Sequence, residues 1–383
     1  MRLGFSLGTC DFNEAKAEAY ADLGITVAKT AVGMGGPRSE WRSTIEPIVR
    51  AGLEPIVDLR TEASELFRGE WEGYAVPPHL PWKPIPGGFE KDFIKFCSDF
   101  MREVYPACTA FEIWGEMQCP ILTSFGNKRG LLPPNRYVYL LRKIAELADK
   151  ESVLTNGGLG VGPFKEAEME QMVGFGALKF VQAFNLHPFA FQHDPWVMWK
   201  FYDWMLTAAY SLARKAGCDG IYVMATEWGY PSTVAASDGI MLRSGVLPVG
   251  IRPATEEQQA EIMDACLEIF WQMDMGPVCL MTQDVADEGP GKFFWGNWCG
   301  IWRADGTRKP AYDVVKKWGR VALQQAVPEK TWTAKALDEA QRRAQYNGRD
   351  HQDVAGGSDS RRDNLGCASL PNEAPAVRVP VEG

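Results

Sequence analysis

The sequence predicts an α/β fold, a (β/α)8 TIM barrel with long βα loops and a polar C-terminal extension, and three observations support this fold class. Short β-rich runs alternate with longer helical runs, as parallel strands joined by helices require. The chain has 383 residues, which is enough for one barrel of about 250 residues with long loops. The candidate dinucleotide-binding glycines follow the second strand instead of the first, which disfavours an open doubly wound sheet.

Eight segments have the length and β-branched content of buried strands. They are Leu3–Leu7, Ile25–Val32, Leu53–Leu59, Cys108–Trp114, Ser152–Thr155, Lys179–Leu186, Asp219–Thr226 and Pro277–Thr282. Helical periodicity predicts the connecting helices. They are Asn13–Leu23, Ser39–Ala51, Phe89–Tyr105, Asn135–Lys150, Lys165–Phe175, Pro195–Ala216, Thr255–Met273 and a last helix opened by Pro310. Segments 61–88 and 228–253 are predicted rim loops, and a third long loop follows the eighth strand.

The composition changes near Gln325 and divides the chain into two parts. Residues 1–324 form the predicted barrel, and residues 325–383 form a polar helix and an extended tail. From Tyr346 onward the chain is rich in Gly, Ser, Asp, Arg and Pro, so this tail has too little apolar surface to fold alone. We therefore expect a protein partner, or a place in a larger assembly, to hold the tail.

Composition also excludes several classes of function. The net charge of −9 and the absence of a basic patch argue against nucleic-acid binding. No run of about 18 apolar residues predicts a membrane span. The nine scattered cysteines form no C-x-x-C pair, so we expect buried, reduced cysteines and no metal. No cofactor is expected either. The N-terminus has no signal h-region, which predicts cytoplasmic synthesis, with release in a virion or by lysis.

Catalytic groups of a barrel lie at the C-terminal ends of its strands. Two glutamates, Glu116 and Glu227, occupy equivalent places after the fourth and seventh strands, and each is flanked by large aromatic residues. Two facing carboxylates suit glycoside hydrolysis, in which a gap of about 5–5.5 Å gives retention and one of roughly 6.5–9.5 Å gives inversion. The sequence spacing leaves both outcomes open.

Further polar residues lie at the same strand ends. Glu112 should point into the barrel, where Lys29 and Arg60 are its candidate partners. His187 suits either a functional role or a core histidine bonded to a backbone carbonyl. Asp58 ends the third strand and is as consistent with a structural ion pair as with a site role.

Five segments together resemble the clan A glycoside hydrolases, which are retaining (β/α)8 enzymes, over roughly residues 3–318. Each segment is similar to a clan motif in the same chain order. They are Tyr20-Ala21-Asp22-Leu23-Gly24-Ile25-Thr26, Glu112-Ile113-Trp114-Gly115-Glu116, Asn185-Leu186-His187-Pro188-Phe189, Thr226-Glu227-Trp228-Gly229-Tyr230 and Asp305-Gly306-Thr307-Arg308-Lys309-Pro310-Ala311-Tyr312. The nearest groups are the family 39-like and family 5-like enzymes.

The resemblance implies that Glu116 is the general acid/base, that Glu227 is the nucleophile and that the substrate is a poly- or oligosaccharide. Around these two glutamates we expect a set of substrate-binding residues. These are His187, Asn185, Trp114, Trp228, Tyr230, Arg60, Lys29, Trp295 and Trp298.

The chain departs from the clan pattern at several positions of the implied sugar site. Gly115 replaces the Asn that precedes the acid/base, Lys29 replaces an Arg, and Phe189 replaces a Tyr. Trp295 and Trp298 are the candidates for the aromatic platform after strand eight. These departures support an alternative function, a non-catalytic carbohydrate-binding or structural barrel in a larger assembly such as a phage tail. A phosphate-binding barrel is disfavoured because no compact glycine-rich cradle follows strands seven and eight.

Overall fold

The structure, a computed structural model, describes residues 1–7, 19–34, 37–60, 89–115, 134–159, 166–190, 192–232, 254–282 and 299–325. Eight parallel strands close into a barrel in chain order, which confirms the predicted fold class. The strands are β1 (Leu3–Ser6), β2 (Val27–Gly33), β3 (Glu54–Arg60), β4 (Ala110–Ile113), β5 (Val153–Asn156), β6 (Ala183–Leu186), β7 (Tyr222–Trp228) and β8 (Val278–Met281).

Helices alternate with the strands in the described ranges. They are α1 (Trp41–Arg50), α2 (Phe89–Val104), α3 (Pro134–Ala145), α4 (Glu166–Gly174), α5 (Pro195–Lys215), α6 (Glu256–Gln272) and α7 (Ala311–Gln325). Local chemistry sets where two of them begin. The Asp194 side chain accepts the backbone N–H groups of Trp196 and Val197 at the start of α5, and a capping box of Thr255 and Gln258 begins α6.

Several boundaries differ from the sequence prediction, and three of them have the largest effect on how the elements are placed. The sixth strand begins at Ala183 and not at Lys179, because Ala177–Lys179 form a 3-10 turn after Gly176, whose φ is 88°. The helix predicted to reach Lys150 ends at Ala145. The seventh strand continues to Trp228, two residues beyond its predicted end.

The lower part of the barrel interior is apolar. Inward-facing side chains of seven strands form one buried cluster, made of Val27, Ile56, Ala110, Val153, Ala183, Met224 and Cys279. The remaining strand, β1, contributes Gly4. A Cβ atom at Gly4 would lie 2.8 Å from the Cys279 sulfur, so the missing side chain lets the cluster close tightly. A second, larger core lies between the strands and the surrounding helices.

The predictions on cysteines, membrane spans and the C-terminal tail differ in their outcomes. The described cysteines are buried and free, as expected. None of the described helices is both long and apolar enough to cross a bilayer. Residues 326–383, the predicted loop 61–88 and residues 233–253 of the predicted loop 228–253 lie outside the described residues, so the polar tail and its partner stay predictions.

Candidate active site

The upper part of the barrel interior is polar, although the same strands line it. Two residues after their position in the lower layer, seven of the strands place a buried polar side chain toward the C-terminal mouth. These side chains are Ser6, Lys29, Asp58, Glu112, Thr155, Asn185 and Thr226. Because side chains two residues apart on a strand share a face, strand alternation stacks this polar layer on the apolar one.

Lys29 is the centre of the charged part of this layer. Its Nζ lies 2.5 Å from Glu227 Oε1, 3.3 Å from Glu112 Oε2 and 3.7 Å from Asp58 Oδ2. Burial disfavours the ammonium, but the surrounding carboxylates outweigh this cost and raise the pKa of Lys29. Lys29 is therefore a permanent cation in contact with three carboxyl groups from three different strands.

Glu227 reaches Lys29 because β7 contains an irregularity. Ala225 pairs with Val278 and Trp228 pairs with Leu280, so three residues advance along β7 for two along β8. Such a bulge reverses the alternation of side chains. Strict alternation from Met224 would direct Trp228 inward and Glu227 outward. The bulge instead directs Glu227 into the barrel, with 21% of its side chain exposed.

The electrostatic surroundings of Glu227 favour its ionised form. Burial alone would raise the pKa of this carboxyl, but the charges of Lys29 and His187 outweigh burial and lower the pKa below its ordinary value. His187 Nδ1 lies 3.7 Å from Glu227 Oε2. A partly exposed carboxylate at the mouth of the barrel, held ionised, has the properties that a nucleophile needs.

His187 is oriented by the wall of the barrel. Its Nε2 lies 2.8 Å from the Thr226 hydroxyl and 3.4 Å from Glu112 Oε1. Asn185 holds Thr226 from the neighbouring strand: its side-chain N–H donates to the Thr226 hydroxyl, and its side-chain oxygen accepts the Thr226 backbone N–H at 3.0 Å. Gly158 makes room for the ring, since a Cβ there would lie 1.9 Å from His187.

Glu112 is a buried carboxylate with an ordered set of partners. It accepts the Gly158 backbone N–H at 2.8 Å and pairs with Lys29 and His187. Burial opposes its ionisation, but Lys29 outweighs this effect and lowers the pKa of Glu112. The prediction that Glu112 points inward is confirmed, and of its two candidate partners the structure selects Lys29. Arg60 lies instead 3.9 Å from Asp58.

The end of β4 turns sharply. Trp114 has a φ of 59°, a left-handed conformation that costs a bulky residue roughly 1–3 kcal/mol. Two contacts from β3 hold the turn: the Trp114 N–H donates to the Leu59 carbonyl at 2.9 Å, and the Gly115 N–H donates to Asp58 Oδ1 at 2.9 Å. A hydrogen bond to a charged group contributes about 1.5–3 kcal/mol, which offsets the strain.

Asp58 differs from the two glutamates in its protonation. Burial and the nearby charge of Glu112 raise its pKa to about 6, although Lys29, Arg60 and the Gly115 N–H act in the opposite direction. Three carboxyl groups surround one lysine, and Asp58 is the one that accepts a proton most readily near neutral pH.

The structure brings some of the predicted site residues together. Glu227, His187, Asn185 and Lys29 meet in the polar layer. Arg60 lies at its edge with 40% of its side chain exposed. Glu116, Trp295 and Trp298 lie outside the described residues, so their roles stay predictions.

Two of three predicted aromatic contacts do not fit the observed placement. Trp228 is fully buried, with its indole N–H donating to the Tyr202 hydroxyl and its ring against Phe270. Tyr230 is 1% exposed and donates to the Gln192 carbonyl. Trp114 is half-buried, with its ring 5.1 Å from that of Phe93. The bulge turns Trp228 outward and the left-handed turn redirects Trp114, so neither Trp228 nor Tyr230 offers a surface to a sugar.

Sequence reasoning missed two parts of the site. In the sequence Thr226 is only a motif neighbour of Glu227, yet its hydroxyl contacts both His187 and Asn185. The glycine pair after β5 is also absent from the predicted site, although Gly157 and Gly158 let β4 and His187 approach closely. Two adjacent glycines directly after a short buried strand were the available signal.

Metal binding has no support in the described part of the chain. No group of three or more His, Cys, Asp and Glu side chains is placed there to hold an ion. The three carboxyl groups of the polar layer converge on the Lys29 nitrogen instead.

Sequence comparison matches no protein-family model and no curated protein, but the fold has clear structural neighbours. One is a family 39 glycoside hydrolase from the gut symbiont Bacteroides cellulosilyticus, with a TM-score of 0.58 and 16% identity over 85% of this chain. This chain spans 64% of that protein's length.

Two further neighbours are matched over a larger share of their own length. A family 5, subfamily 18 enzyme from Streptomyces cattleya, solved in complex with Manβ1-4GlcNAc, has a TM-score of 0.56 and 12% identity over 86% of this chain and 82% of its own. A family 113 β-1,4-mannanase has a TM-score of 0.53 and 12% identity over 84% of this chain and 99% of its own. These neighbours are clan A glycoside hydrolases, and the predicted resemblance to that clan is confirmed at the level of the fold.

Proposed function

We propose that this protein is a retaining glycoside hydrolase in which Glu227 is the nucleophile and Glu116 is the general acid/base. The observation that carries the proposal is the placement of Glu227. A bulge in β7 directs this side chain into the barrel mouth, where it is partly exposed. Lys29 at 2.5 Å and His187 at 3.7 Å keep its carboxylate ionised. The shared fold with glycoside hydrolases supports the same assignment.

The reaction would proceed in two displacements. In the first, the Glu227 carboxylate attacks the anomeric carbon, the bond to the leaving oxygen breaks, and Glu116 protonates that oxygen. In the second, Glu116 removes a proton from water as the water attacks the anomeric carbon and frees Glu227. The loss of charge on Glu227 in the first step lowers the pKa of Glu116 for the second.

The polar layer suits this cycle because Lys29 has more than one carboxylate partner. When Glu227 becomes an ester, its negative charge disappears, but Lys29 keeps its contacts with Glu112 and Asp58. The buried ammonium is therefore never left without a counter-charge, which would be costly. A Lys29–Glu227 pair alone would lack this property.

The proposal is tested with the full chain on aryl β-glycosides, including β-mannosides, and on β-1,4-mannan oligosaccharides. The wild type should hydrolyse at least one substrate with retained configuration, seen by NMR of the first anomer released. Glu227→Gln should lose about 10³-fold or more of kcat/KM. A 2-deoxy-2-fluoro glycoside of the same sugar should label the peptide that contains Glu227.

Three outcomes would contradict the proposal. An inverted product would exclude the covalent intermediate, and a label on a different residue would exclude Glu227. Saturable binding of an oligosaccharide without turnover, equal in the wild type and Glu227→Gln, would favour the non-catalytic carbohydrate-binding barrel.

A further inference from the structure

We propose that Asp58 is a positioning residue: it ties the end of β4, the peptide directly before the proposed acid/base Glu116, to the Lys29 cation that contacts Glu227. The inference rests on the proposed function, because it concerns the same site. It assigns a role to a side chain from β3 that the two-glutamate mechanism does not itself use.

The first argument is the position of the Asp58 carboxylate between the two halves of the site. Oδ1 accepts the backbone N–H of Gly115 at 2.9 Å, and Gly115 is bonded directly to Glu116. Oδ2 lies 3.7 Å from Lys29 Nζ, which in turn contacts Glu227 at 2.5 Å. The buried Asp58 carboxyl thus connects Gly115, which precedes the proposed acid/base, with the Lys29 cation that contacts Glu227.

The second argument is that the end of β4 needs such a support. The left-handed turn at Trp114 is held by two successive backbone N–H groups that donate to β3. Asp58 is 1% exposed, so water cannot easily replace its carboxylate as the acceptor for Gly115. Loss of this acceptor would release the peptide before Glu116 and leave a buried N–H without its partner.

The third argument is the fit between Asp58 and the absent side chain at position 115. A Cβ atom on Gly115 would lie 2.5 Å from Asp58 Oδ2 and 3.1 Å from Glu112 Oε1. The Asp58 carboxylate therefore fills the space in which a side chain at 115 would begin. Asp58 and Gly115 form a matched pair, and this pairing accounts for the glycine where the resembling enzymes have Asn.

The test uses Asp58→Ala, which removes the acceptor, and Asp58→Asn, which keeps an oxygen acceptor without the charge. Phenyl and 2,4-dinitrophenyl β-glycosides of one sugar are compared by kcat/KM, which reports the first displacement. A phenyl leaving group needs protonation, whereas dinitrophenolate leaves without it. If Asp58 acts through Glu116, Asp58→Ala should lose at least about tenfold more kcat/KM on the phenyl glycoside than on the dinitrophenyl glycoside.

Two further variants keep the test independent of folding. Asp58→Asn should restore most of the phenyl-glycoside activity, since its amide oxygen can accept the Gly115 N–H. Gly115→Ala should reproduce the leaving-group selectivity of Asp58→Ala by pushing the carboxylate away. Asp264→Ala is the matched control, because it removes an aspartate of α6 that accepts the Trp318 indole N–H of α7 and is no part of the polar layer. It should change neither substrate's kcat/KM.

The outcomes separate this inference from the proposed function. An equal loss on both glycosides in Asp58→Ala would overturn the positioning role, because it would place the defect at Glu227 or in the fold as a whole. If the wild type hydrolyses no glycoside, the proposed function fails, and amide hydrogen exchange still decides the contact. Exchange at Gly115 should accelerate in Asp58→Ala and stay protected in Asp58→Asn; unchanged protection in Asp58→Ala would overturn the inference.

Discussion

Two layers of the barrel interior, built on the same strands and only two residues apart, have opposite chemistry. The lower layer is wholly apolar on the strands that form it, and the upper layer holds a lysine, an aspartate and a glutamate that are all nearly inaccessible to solvent. On β3 the change occurs from Ile56 to Asp58, and on β4 from Ala110 to Glu112.

The contrast shows how one fold divides its tasks. Burying apolar side chains stabilises the barrel by roughly 25 cal/mol per Å² of apolar surface. Burying charges does not, because desolvation can exceed the attraction between partners. The upper layer is thus a cost to stability that the lower layer and the helix-facing core offset. Substitutions in the two layers should therefore affect stability and activity differently.

The largest expected effect comes from removing the one cation that all three carboxyl groups share. Lys29→Met leaves Asp58, Glu112 and Glu227 near one another without it. Loss of one partner of a buried ion pair costs about 3–5 kcal/mol. Because Lys29 is the largest charge that lowers the pKa of Glu227, the acid limb of kcat/KM should also move to higher pH. Urea unfolding and a pH profile measure the two effects.

A surface lysine provides the control for this substitution. Lys316 pairs with Asp22 at 2.7 Å, and both side chains are partly exposed. Exposed pairs contribute about 0–1 kcal/mol, so Lys316→Met should leave the unfolding free energy and the pH profile close to the wild type. Equal destabilisation by Lys29→Met and Lys316→Met would mean that the upper layer is hydrated and not a buried ion cluster.

The fold was predictable because local signals agree with one another. Each strand is a short apolar run bounded by turn residues, and the alternation of Val27 and Lys29, or of Ala110 and Glu112, already indicates an interior that changes from apolar to polar toward the mouth. The ends of elements were less predictable. The start of β6 depends on the 3-10 turn after Gly176, a tertiary arrangement that propensity does not report.

The candidate site was predictable in its charged residues and not in its aromatic ones. Lys29 and Glu112 follow from their positions on β2 and β4, and His187 from its place directly after β6. The orientation of Glu227 and Trp228 depends on the β7 bulge, which a sequence shows only as one extra residue with no partner on β8. The left-handed turn at Trp114 is equally hidden, because a bulky residue rarely adopts it.

A smaller effect, and one of opposite sign, is expected at Asp58. Its pKa is raised from an ordinary 3.8 to about 6, so the folded protein binds this proton more tightly than the unfolded chain does. Ionising Asp58 therefore lowers the free energy of unfolding. This loss is complete above about pH 6 and absent well below pH 4. Asp58→Asn should be more stable than the wild type at pH 8, by an amount on the order of 3 kcal/mol.

The pH dependence of this difference is the critical measurement. Glu112 and Glu227 have lowered pKa values, and their contribution to stability is lost as the pH falls below about 4.5 in both proteins. The contribution of the two glutamates cancels when the unfolding free energies of wild type and Asp58→Asn are subtracted. This difference should shrink toward zero at pH 4. A difference that is constant from pH 4 to pH 8 would show that Asp58 is not the titrating group.

The smallest effect is expected two residues earlier on the same strand. Ile56→Val removes one methylene group from the lower layer and should cost about 0.5–1.5 kcal/mol, with kcat/KM unchanged because no charged group moves. Together with Asp58→Asn, it tests whether neighbouring inward positions of β3 change stability in opposite directions. If Ile56→Val instead lowers kcat/KM or shifts its pH profile, the apolar layer must set the position of the charged one, and the two layers do not act independently.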